Sequence, residues 1–227
     1  MFLAGPGVSE KSGVSNFRKE DGMFFESLNN FFSTEQIVSY TFFRKYPEEF
    51  YKFYREKLIH SEAKPNDCHM ALVELGRKGK LKAIVTENID GLHQMAGSKK
   101  VYELNGSVHR NYCTRCGGAH NATYVLNAEG VPTCTRCGDV VKPDIVLYGE
   151  RPDVEIMEYI IYCIMNADTV ILGGTSLNNY SIAKIINNYF RGENMVIIDE
   201  AEIEDSADLV IQGNVADVMK QAVENMQ

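Results

Sequence analysis

Two pairs of cysteines constrain this chain more than any other feature. Cys113 and Cys116 form one C-x-x-C pair, and Cys134 and Cys137 form a second pair after residues 117–133. Zinc prefers four soft ligands in a tetrahedron, and two short knuckles supply two thiolates each. Because all four ligands are cysteine, no position remains for a catalytic water. The spacing predicts one structural zinc ion; the alternative is redox dithiols or four unrelated cysteines.

Length and charge narrow the class of protein. The 227 residues suffice for one large domain with a smaller insert, and the net charge of −8 argues against a nucleic-acid partner. Charged and polar residues interrupt the most apolar stretch, 156–172, so no membrane span is expected. We expect no secretory leader, because no basic-then-apolar segment begins the chain. Together with the cysteine pairs, this predicts a cytoplasmic protein.

Apolar runs and helical periodicity alternate along much of the chain. Predicted strands cover residues 1–4, 81–86, 101–104, 169–172 and 195–198, and predicted helices cover 66–79, 154–165, 182–189 and 215–225. Asn66 is a candidate N-cap of the first of these helices. This order predicts an α/β fold, a Rossmann-like parallel sheet with helices on both faces. The aromatic-rich segment 17–54 predicts short helices. We therefore expect a Rossmann-like domain from 1–18, 62–107 and 146–227, and a small domain from a helical module (19–61) and a zinc ribbon (108–145).

The loops after the predicted strands carry the candidate binding residues. Gly5 and Gly7 follow the first strand, where glycine lets the backbone approach a phosphate. The third glycine of the usual dinucleotide fingerprint is replaced by Glu10. Asp199 ends a late strand and could accept hydrogen bonds from a ribose diol, although a loop or capping carboxylate is an equal alternative.

Five segments, in order along the chain, resemble the motifs of the sirtuin family of NAD-dependent protein deacylases. Residues 5–18 resemble G-A-G-x-S-x-x-S-G-I-P-D-F-R, 86–93 resemble T-Q-N-I-D-G-L-H, 103–107 resemble E-L-H-G-S, 143–150 resemble R-P-x-V-V-x-F-G-E, and 174–177 resemble G-T-S-L. The zinc cysteines fall between the third and fourth motifs, as in that family. The resemblance covers essentially the whole chain and implies NAD-dependent removal of acyl groups from protein lysine.

The same resemblance assigns residues to the cofactor and substrate. By position, NAD would contact Gly5, Gly7, Ser9, Phe17, Arg18, Asn88, Ile89, Asp90, Gly174, Thr175, Ser176 and Asp199. Within that set, residues 88–90 would form the nicotinamide pocket. An acylated-lysine protein or peptide would add as a strand in a groove lined by Val146, Tyr148, Gly149 and Glu150, together with residues 178–180.

The departures from the family pattern concern the chemistry. The family's catalytic histidine is Asn105 here, and the glutamine of the second motif is Glu87. An amide cannot accept a proton near neutral pH, so Asn105 is no general base. The nearby His109 is more simply a surface or structural histidine. Candidate catalytic residues are therefore Asn105, Glu87, Asn88 and Asp90.

Two explanations of the departures stay open. In the first, catalysis has decayed; in the second, Glu87 has become the base and Asn105 only orients the ribose. Three functions follow: a deacylase with impaired or altered catalysis, an inactive sensor of NAD or ADP-ribose, and a mono-ADP-ribosyltransferase or NAD hydrolase. The cofactors expected in each case are NAD and one structural zinc.

Overall fold

The computed structural model describes residues 1–14, 24–27, 30–175, 180–202 and 207–226. The strands are β1 (Phe2–Ala4), β2 (Phe24–Ser27), β3 (Asn30–Ser33), β4 (Ile84–Thr86), β5 (Val101–Glu103), β6 (Gly106–Cys113), β7 (Ala119–Asn121), β8 (Val141–Ile145), β9 (Thr169–Gly173), β10 (Asn194–Asp199) and β11 (Leu209–Gln212). The α-helices are α1 (Thr34–Ile37), α2 (Tyr40–Lys45), α3 (Pro47–Phe53), α4 (Asp67–Arg77), α5 (Leu92–Ala96), α6 (Ala122–Asn127), α7 (Val154–Met165), α8 (Tyr180–Tyr189) and α9 (Val215–Glu224). A 3-10 helix covers Pro6–Ser12, and a π-helical turn covers Tyr54–Leu58.

The chain divides into two compact units. The larger unit comprises residues 1–15, 62–104 and 153–227, and the smaller unit comprises 16–61 and 105–152. Residues 105–107 and 146–152, which are expected in the larger domain, are grouped by their contacts with the smaller unit. Within the described ranges, no helix is long and apolar enough to cross a membrane.

The larger unit is built on a six-stranded sheet in the order β11-β10-β9-β1-β4-β5. Every neighbouring pair is parallel, and the central Leu3 lies between Val85 of β4 and Leu172 of β9. The chain runs outward from β1 to β4 and β5 on one side, then returns to build β9, β10 and β11 on the other. This reversal of strand order beside β1 leaves a crevice at the carboxyl ends of the strands, where such sheets bind ligands.

Side chains of the central strand enter two separate hydrophobic clusters. Leu3 packs in a cluster with Ile160 of α7 and Ile186 of α8. Phe2 packs in another cluster with Leu72 of α4 and Val215 of α9. Because neighbouring strand residues point to opposite faces, helices cover both faces of this sheet. The predicted α/β fold is confirmed.

The smaller unit contains an antiparallel sheet and an aromatic cluster. The sheet has the order β7-β6-β8, and β6 ends at the first zinc-type cysteine, Cys113. In α2 and α3, the buried rings of Phe43, Phe50 and Tyr51 meet with centroids 5.1–6.2 Å apart. These rings form a hydrophobic core within the smaller unit.

The prediction that residues 17–54 form only short helices is wrong in part. Strands β2 and β3 form an antiparallel pair, with Phe25 opposite Phe32 and Glu26 opposite Phe31. Aromatic residues have high strand propensity, and pairs facing each other across an antiparallel ladder stabilise it. Adjacent phenylalanines were interpreted as helical because short apolar runs do not separate the two periodicities. The helical prediction for 17–23 and 28–29 lies outside the described residues.

Candidate functional site

The glycines after β1 bring that loop onto the loop after β9. Gly5 N–H donates to the Gly173 carbonyl at 2.9 Å, and Gly7 N–H donates to the Gly174 carbonyl at 3.0 Å. A Cβ on Gly5 would lie 2.3 Å from Thr175 Cβ, and one on Gly7 would lie 2.7 Å from Gly174 Cα. Only glycine permits this approach of two backbones. The first and fifth motifs of the sequence are therefore packed together in space.

A hydrogen-bond network joins the first motif to the second. Ser9 Oγ donates to Asp90 Oδ2 at 2.7 Å and accepts from Asn88 Nδ2 at 3.0 Å. The other oxygen, Asp90 Oδ1, accepts the Leu92 N–H at 2.9 Å, and Asn88 N–H donates to Thr86 Oγ1 at 3.0 Å. Ser9 is fully buried, whereas Asn88 and Asp90 are half-buried. The side chains have fixed orientations at the carboxyl ends of β1 and β4.

Glu87 lies on the same edge of the sheet, buried between strands. Its side chain is 6% exposed, and Thr175 Oγ1 donates to Glu87 Oε2 at 3.3 Å. The Glu87 N–H donates to the carbonyl of Ala4, which holds the start of this loop against the end of β1. A carboxylate is thus placed among the motif residues, where a neutral glutamine is the family's usual side chain.

Asp199 lies at the carboxyl end of β10, the strand beside β9. It is 9% exposed, and its Oδ1 accepts the Ala201 N–H at 2.9 Å. Ile89 of the second motif is half-buried. Phe17, Arg18, Ser176 and residues 178–179 lie outside the described residues, while Tyr180 begins α8.

Asn66 is a residue of this site that sequence analysis predicts only as a helix cap. Its side chain does cap α4, because Asn66 Oδ1 accepts the Cys68 N–H at 3.0 Å. Its amide also donates to the Val8 carbonyl at 2.7 Å and to Ser12 Oγ at 3.0 Å. Asn66 therefore holds the 3-10 helix of the first motif, a role for which the sequence contains no local signal.

Two buried histidines lie behind this network. The rings of His69 in α4 and His93 in α5 are 4.7 Å apart at their centroids, and both are almost fully buried. His69 Nδ1 accepts the Asn66 N–H at 3.2 Å, whereas His69 Nε2 and both ring nitrogens of His93 lack a hydrogen-bond partner among the described residues. Burial lowers the pKa of His69 to about 4, opposed by Asp90, and burial with the nearby His69 lowers the pKa of His93 to about 3. Both rings are neutral at pH 7.

The remaining predicted site residues lie in the smaller unit. Asn105 is half-buried just before β6, and its carbonyl accepts the Val146 N–H at 3.0 Å. Tyr148 is 44% exposed, and its N–H and carbonyl bond to Val38 and Tyr40 at 2.9 Å. Gly149 follows with a φ of +93°. The segment predicted to bind acyl-lysine is thus already joined by main-chain hydrogen bonds to residues 38–40.

Glu150 has an internal role in that segment. Its Oε2 accepts the Leu147 N–H at 3.0 Å and pairs with Lys142 Nζ at 2.9 Å. Both side chains of the ion pair are about one-fifth to one-quarter exposed. The carboxylate therefore holds its own loop, and its predicted contact with substrate stays a prediction.

The four cysteines of the two C-x-x-C pairs form one cluster. Cys113 Sγ and Cys137 Sγ are 3.4 Å apart, Cys116 Sγ and Cys134 Sγ are 3.6 Å apart, and all four sulfurs lie within 4.8 Å of one another. Tetrahedral zinc with bonds of about 2.3 Å places its sulfurs roughly 3.8 Å apart. The donor set fits a closed structural zinc site, as predicted from the spacing.

Backbone N–H groups favour the thiolate form of two of these ligands. The Arg136 N–H lies 3.4 Å from Cys134 Sγ and is the main cause that lowers the pKa of Cys134 to about 5, with the His120 side chain second. The Gly118 N–H is the main cause that lowers the pKa of Cys116. Thiolates are the form that binds zinc, so these two ligands favour the metal-binding form.

The larger unit is thus a doubly wound α/β fold of the Rossmann type, and the smaller unit carries a cluster of four cysteines. The profile of the Sir2 family matches residues 5–181. The NAD-dependent protein deacetylase of Clostridium perfringens is 51% identical over 226 residues, 99% of this chain and 93% of that protein. The chain belongs to the Sir2 family.

Solved structures agree with that membership. A solved structure that addresses the structural basis of sirtuin substrate affinity matches this chain with a TM-score of 0.88 and 34% identity, over 100% of this chain and 93% of the other. A Sir2 complex with a p53 peptide and NAD+ matches with a TM-score of 0.83 and 33% identity, over 98% of this chain and 91% of the other. These identities extend over both units of the chain.

Proposed function

We propose that this protein is an NAD-dependent protein-lysine deacetylase with altered proton transfer. The observation that carries the proposal is the network of Ser9, Asn88 and Asp90 at the switch point of the parallel sheet. The relative named an NAD-dependent protein deacetylase, 51% identical along nearly its whole length, supports the same reaction. A solved Sir2 relative with NAD+ and a p53 peptide supports both ligands.

The larger unit's own residues would hold the cofactor. NAD supplies a nicotinamide ribose whose carbon can receive the oxygen of an acyl group. Both oxygens of Asp90 accept hydrogen bonds, from Ser9 and Leu92, so this carboxylate keeps one orientation. Its negative charge suits the positively charged nicotinamide ring. Asp199 would accept hydrogen bonds from a ribose diol and disfavour the extra phosphate of NADP.

Glu87 is the group we propose for proton acceptance. Asn105 cannot accept a proton near neutral pH, so the reaction needs another base if it proceeds at a useful rate. Glu87 is 6% exposed and hydrogen-bonded to Thr175 of the fifth motif. A positioned carboxylate is one of the groups that serve as a general base. Asn105 would then orient the ribose through its amide.

The acetylated peptide would contact the smaller unit at Tyr148 and Gly149. Tyr148 presents an exposed ring, while its main-chain groups are bonded to Val38 and Tyr40. We therefore place substrate contact on the exposed Tyr148 ring and on Gly149, which is exposed and carries no side chain. The partners of the protein are then NAD and an acetylated protein or peptide.

A second function is favoured by one observation, the asparagine at position 105. Without a base the protein would bind NAD or ADP-ribose and release little product. A third outcome, NAD hydrolysis or ADP-ribosyl transfer, would release nicotinamide without moving the acetyl group.

Substitutions at Glu87 and Asn105 test the proposed chemistry. With NAD and an acetyl-lysine peptide, Glu87→Gln should lower the rate of deacetylated peptide formation about 10²- to 10³-fold, because it removes a general base. Glu155→Gln, on the exposed surface of α7, is the control and should keep the wild-type rate. Chromatography of the peptide gives each rate.

The same series separates the alternatives. A Glu87→Gln variant with the wild-type rate would show that this carboxylate is not the base. A wild type that forms no product, combined with gain of activity in Glu87→Gln with Asn105→His, would instead establish the inactive NAD-binding protein. Nicotinamide release without deacetylated peptide would establish the third function.

A further inference from the structure

The two zinc knuckles have the same backbone but different side-chain surroundings. Their sequences are C-T-R-C-G-G from Cys113 and C-T-R-C-G-D from Cys134. The Cys113 N–H donates to the Gly118 carbonyl at 2.9 Å, and the Cys134 N–H donates to the Asp139 carbonyl at 2.7 Å. Each residue of one knuckle therefore has an equivalent in the other, and the last position is the one that differs.

The arginine of the second knuckle reaches across to the first. Arg136 Nη2 lies 3.3 Å from Cys116 Sγ and 3.3 Å from the Cys116 carbonyl oxygen. Its guanidinium passes over Gly118, where a Cβ would lie 2.5 Å from Arg136 Nη2. The missing side chain at position 118 leaves room for this crossing. Cys116 is also the exposed ligand of the cluster.

The arginine of the first knuckle makes no such contact. Arg115 is exposed, and its side chain forms no hydrogen bond within the part of the chain that the structure describes. The position equivalent to Gly118 is Asp139, whose Oδ1 accepts from Thr114 Oγ1 at 3.1 Å and from the Val140 N–H at 2.8 Å. The Asp139 side chain thus occupies the position that is equivalent to Gly118, over which the Arg136 guanidinium passes in the first knuckle.

We propose that Arg136 is a positioning residue of the zinc site that slows metal loss at Cys116. Four thiolates around Zn²⁺ carry a net charge of −2, and a guanidinium donating to one of them stabilises the bound thiolate. When Cys116 leaves the metal, its sulfur moves away from the guanidinium and that charge-assisted hydrogen bond is lost. The site is therefore asymmetric within the described residues: an arginine side chain contacts Cys116, and none contacts its equivalent Cys137.

Zinc transfer to the chelating dye 4-(2-pyridylazo)resorcinol tests the proposal on the whole zinc-loaded chain. Arg136→Gln should release zinc about tenfold faster than wild type, the lower end of the effect of outer partners of metal ligands. Arg115→Gln, the matched change in the other knuckle, should release zinc at the wild-type rate. In 1 M NaCl the difference between Arg136→Gln and wild type should shrink, because salt screens an exposed charge.

A second variant distinguishes the contact from general destabilisation. Gly118→Ala keeps the arginine but displaces its guanidinium from Cys116, so zinc release should again be faster than in wild type. Equal release rates for Arg136→Gln and Arg115→Gln would overturn the proposal, and so would a wild-type rate for Gly118→Ala. A salt-independent difference would also overturn it, since it would indicate lost packing rather than a lost charge.

Discussion

At the scale of single residues, Asn66 makes a contact that the sequence motifs do not predict. The sequence predicts it as the cap of a helix, and the structure confirms that cap. The same amide also bonds to Val8 and Ser12 of the first motif, far away in the chain. Local sequence encodes capping because the partner is two residues away. The longer contact depends on how α4 packs beside β1, which no local pattern contains.

The zinc cysteines are the opposite case. Their four sulfurs meet because each C-x-x-C pair is a local turn, with a glycine at a φ of 65° or 75° after it. Such a ligand set is predictable from spacing alone. The contact of Arg136 with Cys116 cannot be predicted in this way, because it depends on how the two knuckles face each other in space.

The buried histidine pair makes the larger unit sensitive to acid. His69 and His93 have pKa values lowered to about 4 and about 3 by burial, below the 6.5 of an exposed imidazole. Below pH 6.5 the unfolded chain therefore binds protons that the folded chain does not. The free energy of unfolding should fall as the pH drops from 6.5 towards 4, on the order of 3 kcal/mol for each histidine.

Urea unfolding between pH 7 and pH 4 measures this loss. Asp90 and Asn66 are the polar groups facing the pair, and neither changes in the variant His93→Phe. That variant should lose less stability with falling pH than wild type, because one of the two titrating rings is gone. His109→Phe, at an exposed position, should keep the wild-type slope. Identical slopes in wild type and His93→Phe would contradict the assignment.

At the scale of elements, the regular helices and strands follow their sequence patterns closely. Helix α7 begins and ends as predicted, at Val154 and Met165. Segment 17–54 does not, because pairs of phenylalanines suit a strand as well as a helix and the pairing of β2 with β3 decides between them. The sequence patterns also do not predict β11, which is a short edge strand whose residues are largely exposed.

The glycine loop after β1 gives a test of packing between elements. Gly7→Ala would place a Cβ 2.7 Å from Gly174 Cα, so one of two backbones must move. We expect a loss of about 2 kcal/mol and a fall in Tm of roughly 4–8 °C. Gly76→Ala is the control, because its Cβ would meet open space within α4. It should keep or raise Tm, since alanine favours a helix over glycine by about 1 kcal/mol.

Circular dichroism melts of wild type and both variants measure these changes in Tm. A Gly7→Ala melt that coincides with wild type would show that the two loops separate readily. The close approach of Gly5 and Gly7 to residues 173–175 would then not be needed to hold the binding edge of the sheet.

At the scale of the whole molecule, the parallel sheet and its two covered faces could be predicted because alternating strands and helices admit few topologies. The division of the chain was harder to predict. Residues 105–107 and 146–152 are grouped with the smaller unit through β6, β8 and the contact of Tyr148 with residues 38–40. Non-local pairing of that kind decides boundaries and is not visible in composition.

The proposed change of base could be drawn from the sequence only in part. The resemblance places Asn105 at the position of the family's histidine, but the base proposed in its place must be found by burial and contacts. Glu87 is the candidate because it is buried, bonded to Thr175 and set on the same edge as Ser9 and Asp90.

The mass of the product formed by wild-type protein tests the central claim most directly. Purified zinc-loaded protein is incubated with NAD and an acetyl-lysine peptide, with the unacetylated peptide as control, and the small-molecule products are weighed by mass spectrometry. We expect nicotinamide together with ADP-ribose carrying the acetyl group, and only with the acetylated peptide. Free ADP-ribose formed equally with both peptides, or no consumption of NAD with either, would contradict it.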